Sequence, residues 1–265
     1  LSVTRLAGEP KDIFKEVPTL GHVMALTRNE ACVHERKGSY GKVQLMPHGN
    51  MGLVVGDDID LRVFFSSWKY VFAEENGTRG SLQFFDKYGA PVHKVHLTDK
   101  SNFDEFKRII SVYKSPNQFL SEPIDKSVLS GQEENASVDK EEFLKEWSSL
   151  KDTHQFFGLL KNFNVPRVQA LKIAEGKFSK KLSVESIEIL LRNASEQDVP
   201  IMAFVGNPGM IQIHTGYVKN IQIMGEWVNV MDPEFNLHLR QDLIMSVWHV
   251  IKPTEDGDVN SIEVY

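Results

Sequence analysis

The sequence predicts an α+β fold made by tandem duplication, each half carrying a large, mostly antiparallel β-sheet with packed helices. Three observations predict it. "ACVHERKGSYGKVQLM" (31–46) resembles "MIQIHTGYVKNIQIM" (210–224), pairing His34 with His214, Gln44 with Gln222 and Met46 with Met224. "DIDLRVFFSSWKYVFAEENGTRGSLQFF" (58–85) resembles "NLHLRQDLIMSVWHVIKPTEDGDVNSIEVY" (236–265), so Leu61-Arg62 meets Leu239-Arg240 and Trp68 meets Trp248. The offset stays within two residues of 180, far longer than a solenoid period, so each copy is a domain-sized half. The order of elements is helices, then a run of strands, then a helix, which separates α+β from an alternating α/β chain.

The first repeat is placed at 1–113, with its N-terminal helical part expected outside this sequence. "ACVHE", "KVQLM", "LRVFFSSWKYVFA" and "GSLQFFD" alternate apolar and polar residues as half-buried strands do. "ENGTRG" joins the last two as a hairpin loop containing Asn-Gly. A further strand in "DKYGAPVHKVHL" and a helix in "SNFDEFKRIISVY" close the repeat. Residues 114–139 are rich in Ser, Pro, Asn and acidic residues with little apolar periodicity, and are expected to be a linker.

The second repeat is placed at 140–265, its C-terminal strand and helix expected beyond Tyr265. It opens on a helix, "VDKEEFLKEWSSL", with Phe143, Leu144, Trp147 and Leu150 on one stripe. Asp152 then suits an N-cap, with Gln155 three residues on as in a capping box. Phe156, Phe157, Leu160 and Phe163 are expected to form the buried stripe of that helix. Pro166 suits the first turn of the next helix, from which Arg167 points outward. "MIQIHTG", "KNIQIMG", "WVNVMD" and "SVWHVIKP" repeat the strands of the first half, with "EDGD" as the turn.

Composition bounds the function. The chain has 265 residues, 41% hydrophobic and 25% charged, with a net charge of −6. An acidic balance argues against general nucleic-acid binding, which wants a basic footprint. One cysteine, Cys32, excludes an intrachain disulfide, a cysteine-rich metal site and covalent c-type haem. It favours a reducing, cytoplasmic address. The opening residues do not read as a signal peptide, and no apolar run reaches a membrane span. P-loop, G-x-S-x-G, H-E-x-x-H and G-x-G-x-x-G motifs are all lacking.

His154 is the residue that composition leaves unexplained. It falls in the first turn of a helix, with Phe157, Gly158 and Lys161 one and two turns on. A neutral imidazole has the lone pair a metal needs, and Gly158 removes a side chain beside the ring, letting a flat ligand approach. The alternative is a packing histidine beside aromatics. His93 and His96 in "VHKVH" face opposite sides of a strand, so they do not share a metal. His34 and His214 are repeat-equivalent and read as sheet features.

"PTLGHVMALTRNEACVHERKGSY", "LRVFFSSWKYVFA", "DTHQFFGLLKNFNVPRVQAL" and "FNLHLRQDLIMSVWHVIKPT" together resemble the HemS/ChuS/PhuS family of bacterial haem-trafficking and haem-degrading proteins. The resemblance covers the chain apart from the linker and includes the duplication. It implies two similar α+β halves with a haem cleft between them. By position it implies that His154 is the axial ligand of haem iron. It further implies that Arg62 is the distal arginine, with a catalytic part, and that Phe64 belongs to the distal wall. Arg167 and Lys252 match the cations that pair with the haem propionates. The types suit a b-type haem, which needs an imidazole on iron, an apolar slot and cations for two carboxylates. Arg62 has only N–H donors to offer, so it can hydrogen-bond to a ligand on the far side of the iron; as the twin of Arg240 it can also be a structural sheet residue.

Two functions follow from the resemblance. One is a cytoplasmic protein that receives imported haem and opens its ring oxidatively to release iron, using an external electron donor. The other is a non-catalytic chaperone that takes haem from an inner-membrane transporter and delivers it to a separate haem oxygenase. A third reading, from the residues alone, is an interaction module without a cofactor.

Overall fold

The computed structural model describes residues 1–47, 49–119, 124–125 and 137–265. The first half contains β1 (Ser2–Leu6), α1 (Pro10–Glu16), β2 (Gly21–Arg28), β3 (Cys32–Ser39), β4 (Val43–Leu45) and β5 (Met51–Val54). It continues with β6 (Asp60–Phe64), β7 (Trp68–Asn76), β8 (Arg79–Asp86), β9 (Pro91–Ser101) and α2 (Phe103–Tyr113). The second half begins with α3 (Lys140–Ser148), α4 (Gln155–Asn162), α5 (Arg167–Ile173), β10 (Ser179–Leu182) and α6 (Ser186–Glu196). It ends with β11 (Ile201–Asn207), β12 (Met210–Gly216), β13 (Ile221–Met224), β14 (Trp227–Met231), β15 (Phe235–Arg240), β16 (Val247–Lys252) and β17 (Val259–Val264). Among the described residues no helix is long and apolar enough to cross a membrane.

The α+β class and the antiparallel sheets are as the sequence predicts, and the duplication is visible in the strand order. A nine-stranded sheet runs β1-β7-β8-β9-β2-β3-β15-β14-β13. A three-stranded sheet, β10-β16-β17, repeats β1-β7-β8, and a five-stranded sheet, β11-β12-β6-β5-β4, repeats β2-β3-β15-β14-β13. Only β9 lacks a counterpart among the described residues.

The two halves exchange strands. β15 of the second half pairs with β3 of the first, Leu237 opposite His34. β6 of the first pairs with β12 of the second, Arg62 opposite Ile211. Alternation along a strand fixes which face is buried but not which strand lies alongside, so the sequence pattern could not show this exchange. Its consequence is that the compact units are not contiguous. One comprises Leu1–Ser127 and Leu191–Asp242, the other Val128–Leu190 and Leu243–Tyr265.

In the first unit, β11 and β12 pack over β2 and β3, and the inner faces meet in a core that includes fully buried Val23, Ala25, Leu61, Val63 and Met210. The linker expected over 114–139 lies largely outside the described residues. Its first residues are tied to β1: the Arg5 backbone N–H donates to Gln118 Oε1 at 2.9 Å, and Gln118 Nε2 donates back to the Arg5 carbonyl at 3.0 Å.

In the second unit, α3 and α4 close over β16 through aromatic packing. Trp147 stacks on Phe178 with ring centroids 5.5 Å apart and meets Phe156 edge-on at 4.5 Å. Its indole N–H donates to the Ile251 carbonyl at 3.0 Å. This anchors both helices to the sheet, since a buried indole contributes large apolar area and one satisfied donor.

Candidate functional site

His154 stands at the N-cap position of α4, one residue before the first turn in which the sequence places it. Its side chain is 88% exposed. The packing alternative is therefore not what the fold adopts. Asp152 does not cap the helix; its Oδ1 accepts from the His154 backbone N–H at 2.7 Å and from the ring Nδ1 at 2.6 Å. Those two hydrogen bonds, the backbone one first, hold the Asp152 carboxyl below its ordinary range. A carboxylate only accepts, so Nδ1 carries the proton and Nε2 of the neutral ring keeps its lone pair. The capping glutamine reaches one residue further back, Gln155 Oε1 accepting from the Lys151 N–H at 2.9 Å.

The surface beside the ring is open and partly aromatic. Among the described residues, a Cβ at Gly158 would meet nothing within 4 Å. Phe157, expected in the buried stripe, is 72% exposed; the stripe is Phe156, Leu159 and Leu160. The reason is angular. Those three follow i, i+3, i+4 spacing, while Phe157 lies about 100° round from Phe156, three residues after His154 and on its side of the helix.

Arg167 and Lys252 are brought together, on a carboxylate the sequence did not single out. Glu263 accepts a bidentate pair from Arg167, Nε at 2.8 Å and Nη2 at 2.7 Å, and a third hydrogen bond from Lys252 Nζ at 2.6 Å. The Tyr265 hydroxyl donates a fourth at 2.6 Å. Both cations also lie over the Phe156 ring, at 5.0 and 5.1 Å. Burial alone would raise the Glu263 carboxyl, but Arg167 and then Lys252 bring it down to about 2. Burial lowers the Lys252 ammonium, against the opposing pull of Glu263. Lys252 is 8% exposed and Arg167 40%, so of the two only Arg167 offers substantial surface to a ligand.

Replacing Glu263 by Gln leaves two cations against a neutral amide. We expect E263Q to lose about 2 kcal/mol of stability, less than the full cost of breaking a buried pair because Arg167 is 40% exposed. Urea unfolding at neutral pH measures it, and an unchanged midpoint would remove Glu263 from the account.

Arg62 and Phe64 belong to the other unit, on β6. Strand alternation buries Leu61 and Val63 inward and turns Asp60, Arg62 and Phe64 to the outer face of the five-stranded sheet. Arg62 is held by an ion pair to Asp60, and its Nη1 also donates to the Leu61 carbonyl at 3.3 Å. The register puts Ile211, Ile213, Leu53 and Met51 on the same face, with Phe204 opposite Ile213 and Met202 opposite Thr215. Phe204 and Met202 are more than half exposed. This is an apolar sheet face carrying one arginine in an ion pair. The resemblance singles out Arg62 and Phe64 but not Phe204 and Met202, which share this face only because the strand exchange brings β11 and β12 alongside β6.

The fold defines a duplicated α+β protein. One unit carries an exposed imidazole beside an aromatic helix surface and a charge cluster, and the other carries an apolar sheet face bearing an arginine. The haemin-degrading HemS/ChuX domain family matches residues 1–113 and 164–265, and the chain belongs to it. The hemin transport proteins HmuS of Yersinia pestis and HemS of Yersinia enterocolitica are each 34% identical over 98% of this chain and 76% of their own length. The crystal structure of apo-PhuS, a heme-binding protein from Pseudomonas aeruginosa, superposes with a TM-score of 0.90 at 40% identity, covering 100% of this chain and 78% of PhuS. The heme-degrading enzyme ChuS of Escherichia coli O157:H7 superposes equally well, TM-score 0.90 at 31% identity over 99% and 77%.

Proposed function

We propose that this chain binds haem b through His154 Nε2 and handles it in cytoplasmic haem uptake, passing it on or opening its ring to release iron. The observation that carries this is the exposed imidazole whose proton is placed on Nδ1 by Asp152. A single imidazole does not cage a bare ion; it suits an iron whose equatorial positions a porphyrin fills. The open space at Gly158 and the exposed Phe157 ring fit a flat apolar ligand. Arg167 is the more accessible propionate partner, and Lys252 assists by sharing Glu263. Arg62 and Phe64 are assigned to the distal side, Arg62 as hydrogen-bond donor once its guanidinium leaves Asp60. Relatives described as hemin transport and heme-degrading proteins support both outcomes for the haem.

Haem titration of the protein is expected to give a saturable Soret shift. Exposing the loaded protein to an external reductant and oxygen then separates the outcomes. A bleached Soret band with ring-opened products marks degradation, with haem as substrate. A surviving band marks a carrier that draws haem from a transporter and delivers it to a separate oxygenase. No Soret shift at all would leave an interaction module.

Asp152 gives a finer test. A carboxylate hydrogen-bonded to the far nitrogen raises ligand basicity and fixes the ring. D152N keeps an acceptor but loses the charge, so it is expected to bind haem roughly tenfold more weakly at unchanged fold stability. Equal affinities in the two proteins would show that the carboxylate does not tune the ring.

A further inference from the structure

The duplicated strand order gives the nine-stranded sheet an outer face that is the counterpart of the face around Arg62. β15 occupies in its sheet the place β6 has in the other, so Arg240 stands for Arg62 and His238 for Asp60. Following the pairings outward, Val33 stands for Ile213, Arg28 for Phe204 and Trp227 for Leu53. The architecture is kept and the chemistry is changed. Two apolar positions have become an arginine and a tryptophan, and a carboxylate has become an imidazole.

This face holds a cavity of about 410 Å³ whose lining includes Arg28, Lys94, His96, Trp227, Asn229 and His238. Its side chains are organised. Asn229, 4% exposed, donates to the Gln222 and Trp227 carbonyls at 3.2 and 3.3 Å, and its Oδ1 accepts from His238 Nδ1 at 2.7 Å. In the neutral ring this tautomer leaves the lone pair on His238 Nε2. The Arg240 guanidinium, paired with Asp242, lies over the Trp227 ring at 5.7 Å and braces it. Burial, then the charge of Lys94, holds the His96 ring below its ordinary value, and the lining carries Arg28 and Lys94 with one carboxylate, Glu35.

We infer that this cavity is a second binding site, for a planar aromatic carboxylate bearing a ring hydroxyl. The flat ring lies against Trp227, the carboxylate is met by Arg28 and Lys94, and the hydroxyl donates to His238 Nε2. A polar site with an acceptor and two cations selects such a ligand over an apolar one because each group left unpaired costs binding energy. The site stands on the strand correspondence and the side chains alone, and does not need the haem assignment.

The test is titration with hydroxynaphthoate, followed by tryptophan fluorescence. Saturable quenching is expected, and W227F should remove it. K94E should weaken binding by at least ~10-fold, as reversal of a charge facing a carboxylate does. Hydroxynaphthoate should bind more tightly than naphthoate, and H238A should abolish that difference. H154A should bind the probe like the wild type. Absence of saturation at millimolar probe, quenching that survives both W227F and K94E, or loss of binding in H154A would each overturn the proposal. Circular dichroism and melting of each variant confirm that the comparison is between folded proteins.

Discussion

Replacing His154 with alanine is expected to cost the protein at least ~100-fold in haem affinity, about 2.7 kcal/mol, and to move the Soret maximum to that of haem without an imidazole ligand. The size of the effect follows from the geometry. The ring is 88% exposed and its nitrogens are divided between one hydrogen bond to Asp152 and one lone pair. Nothing else among the described residues uses the ring, so H154A should change stability by less than about 0.5 kcal/mol, as surface substitutions usually do. The two readouts separate ligation from folding. Wild-type affinity and an unmoved Soret band in H154A would transfer the iron to another residue.

Acidification should destabilise the first unit strongly, and the cause lies in its core. Among the described residues His34 is buried with no hydrogen-bond partner for either ring nitrogen, and Gln212 Oε1 likewise has none. Burial first, then the charges of His214, Arg36 and His93, push the His34 ring down to about 3. His93 is pushed down to about 3 by burial and then by His96. It is fully hydrogen-bonded, to the Tyr40 hydroxyl at 2.6 Å and to Thr27 Oγ1 at 2.9 Å. His214, stacked on Phe235 with ring centroids 3.7 Å apart, is lowered too, chiefly by burial.

Histidines whose folded values lie below the unfolded one bind protons preferentially in the unfolded chain. Their contribution is thus intact above about pH 6.5 and lost as pH falls toward 3. At pH 5 the loss is about 2 kcal/mol for each of His34 and His93, or about 4 kcal/mol together. Urea unfolding at pH 7.5 and pH 5.0 measures it. His34→Leu should remove its share and be neutral or stabilising at pH 7.5, because no hydrogen bond is lost and two buried unsatisfied nitrogens disappear. His93→Leu should destabilise at both pH values, since it strands the Tyr40 and Thr27 hydroxyls. An unchanged pH slope in H34L would show that His34 is not the source.

Part of the candidate site is legible in the sequence. His154 beside Gly158 stands out by residue type and position, while Arg62, Phe64, Arg167 and Lys252 are singled out only by the family resemblance. The partners that decide their chemistry are not. Asp152 read as a helix cap, because an aspartate two residues before a histidine looks the same whether it bonds the backbone, the ring, or both. Glu263 and Tyr265 lie nearly a hundred residues from Arg167 and have no sequence signal linking them to it. Phe157 was misplaced because two adjacent aromatics compete for one stripe, and only packing against Trp147 selects Phe156.

The sequence by itself determined the α+β class, the duplication, the inner and outer face of most strands, and the unusual histidine, because these follow from local periodicity and self-similarity. Tertiary structure alone decided that β6 joins β12 and β15 joins β3, that Glu263 gathers both cations, and that His34 is buried with no hydrogen-bond partner among the described residues. Those outcomes depend on which surfaces meet across the chain, and a period of two or 3.6 residues carries no record of the surface on the other side.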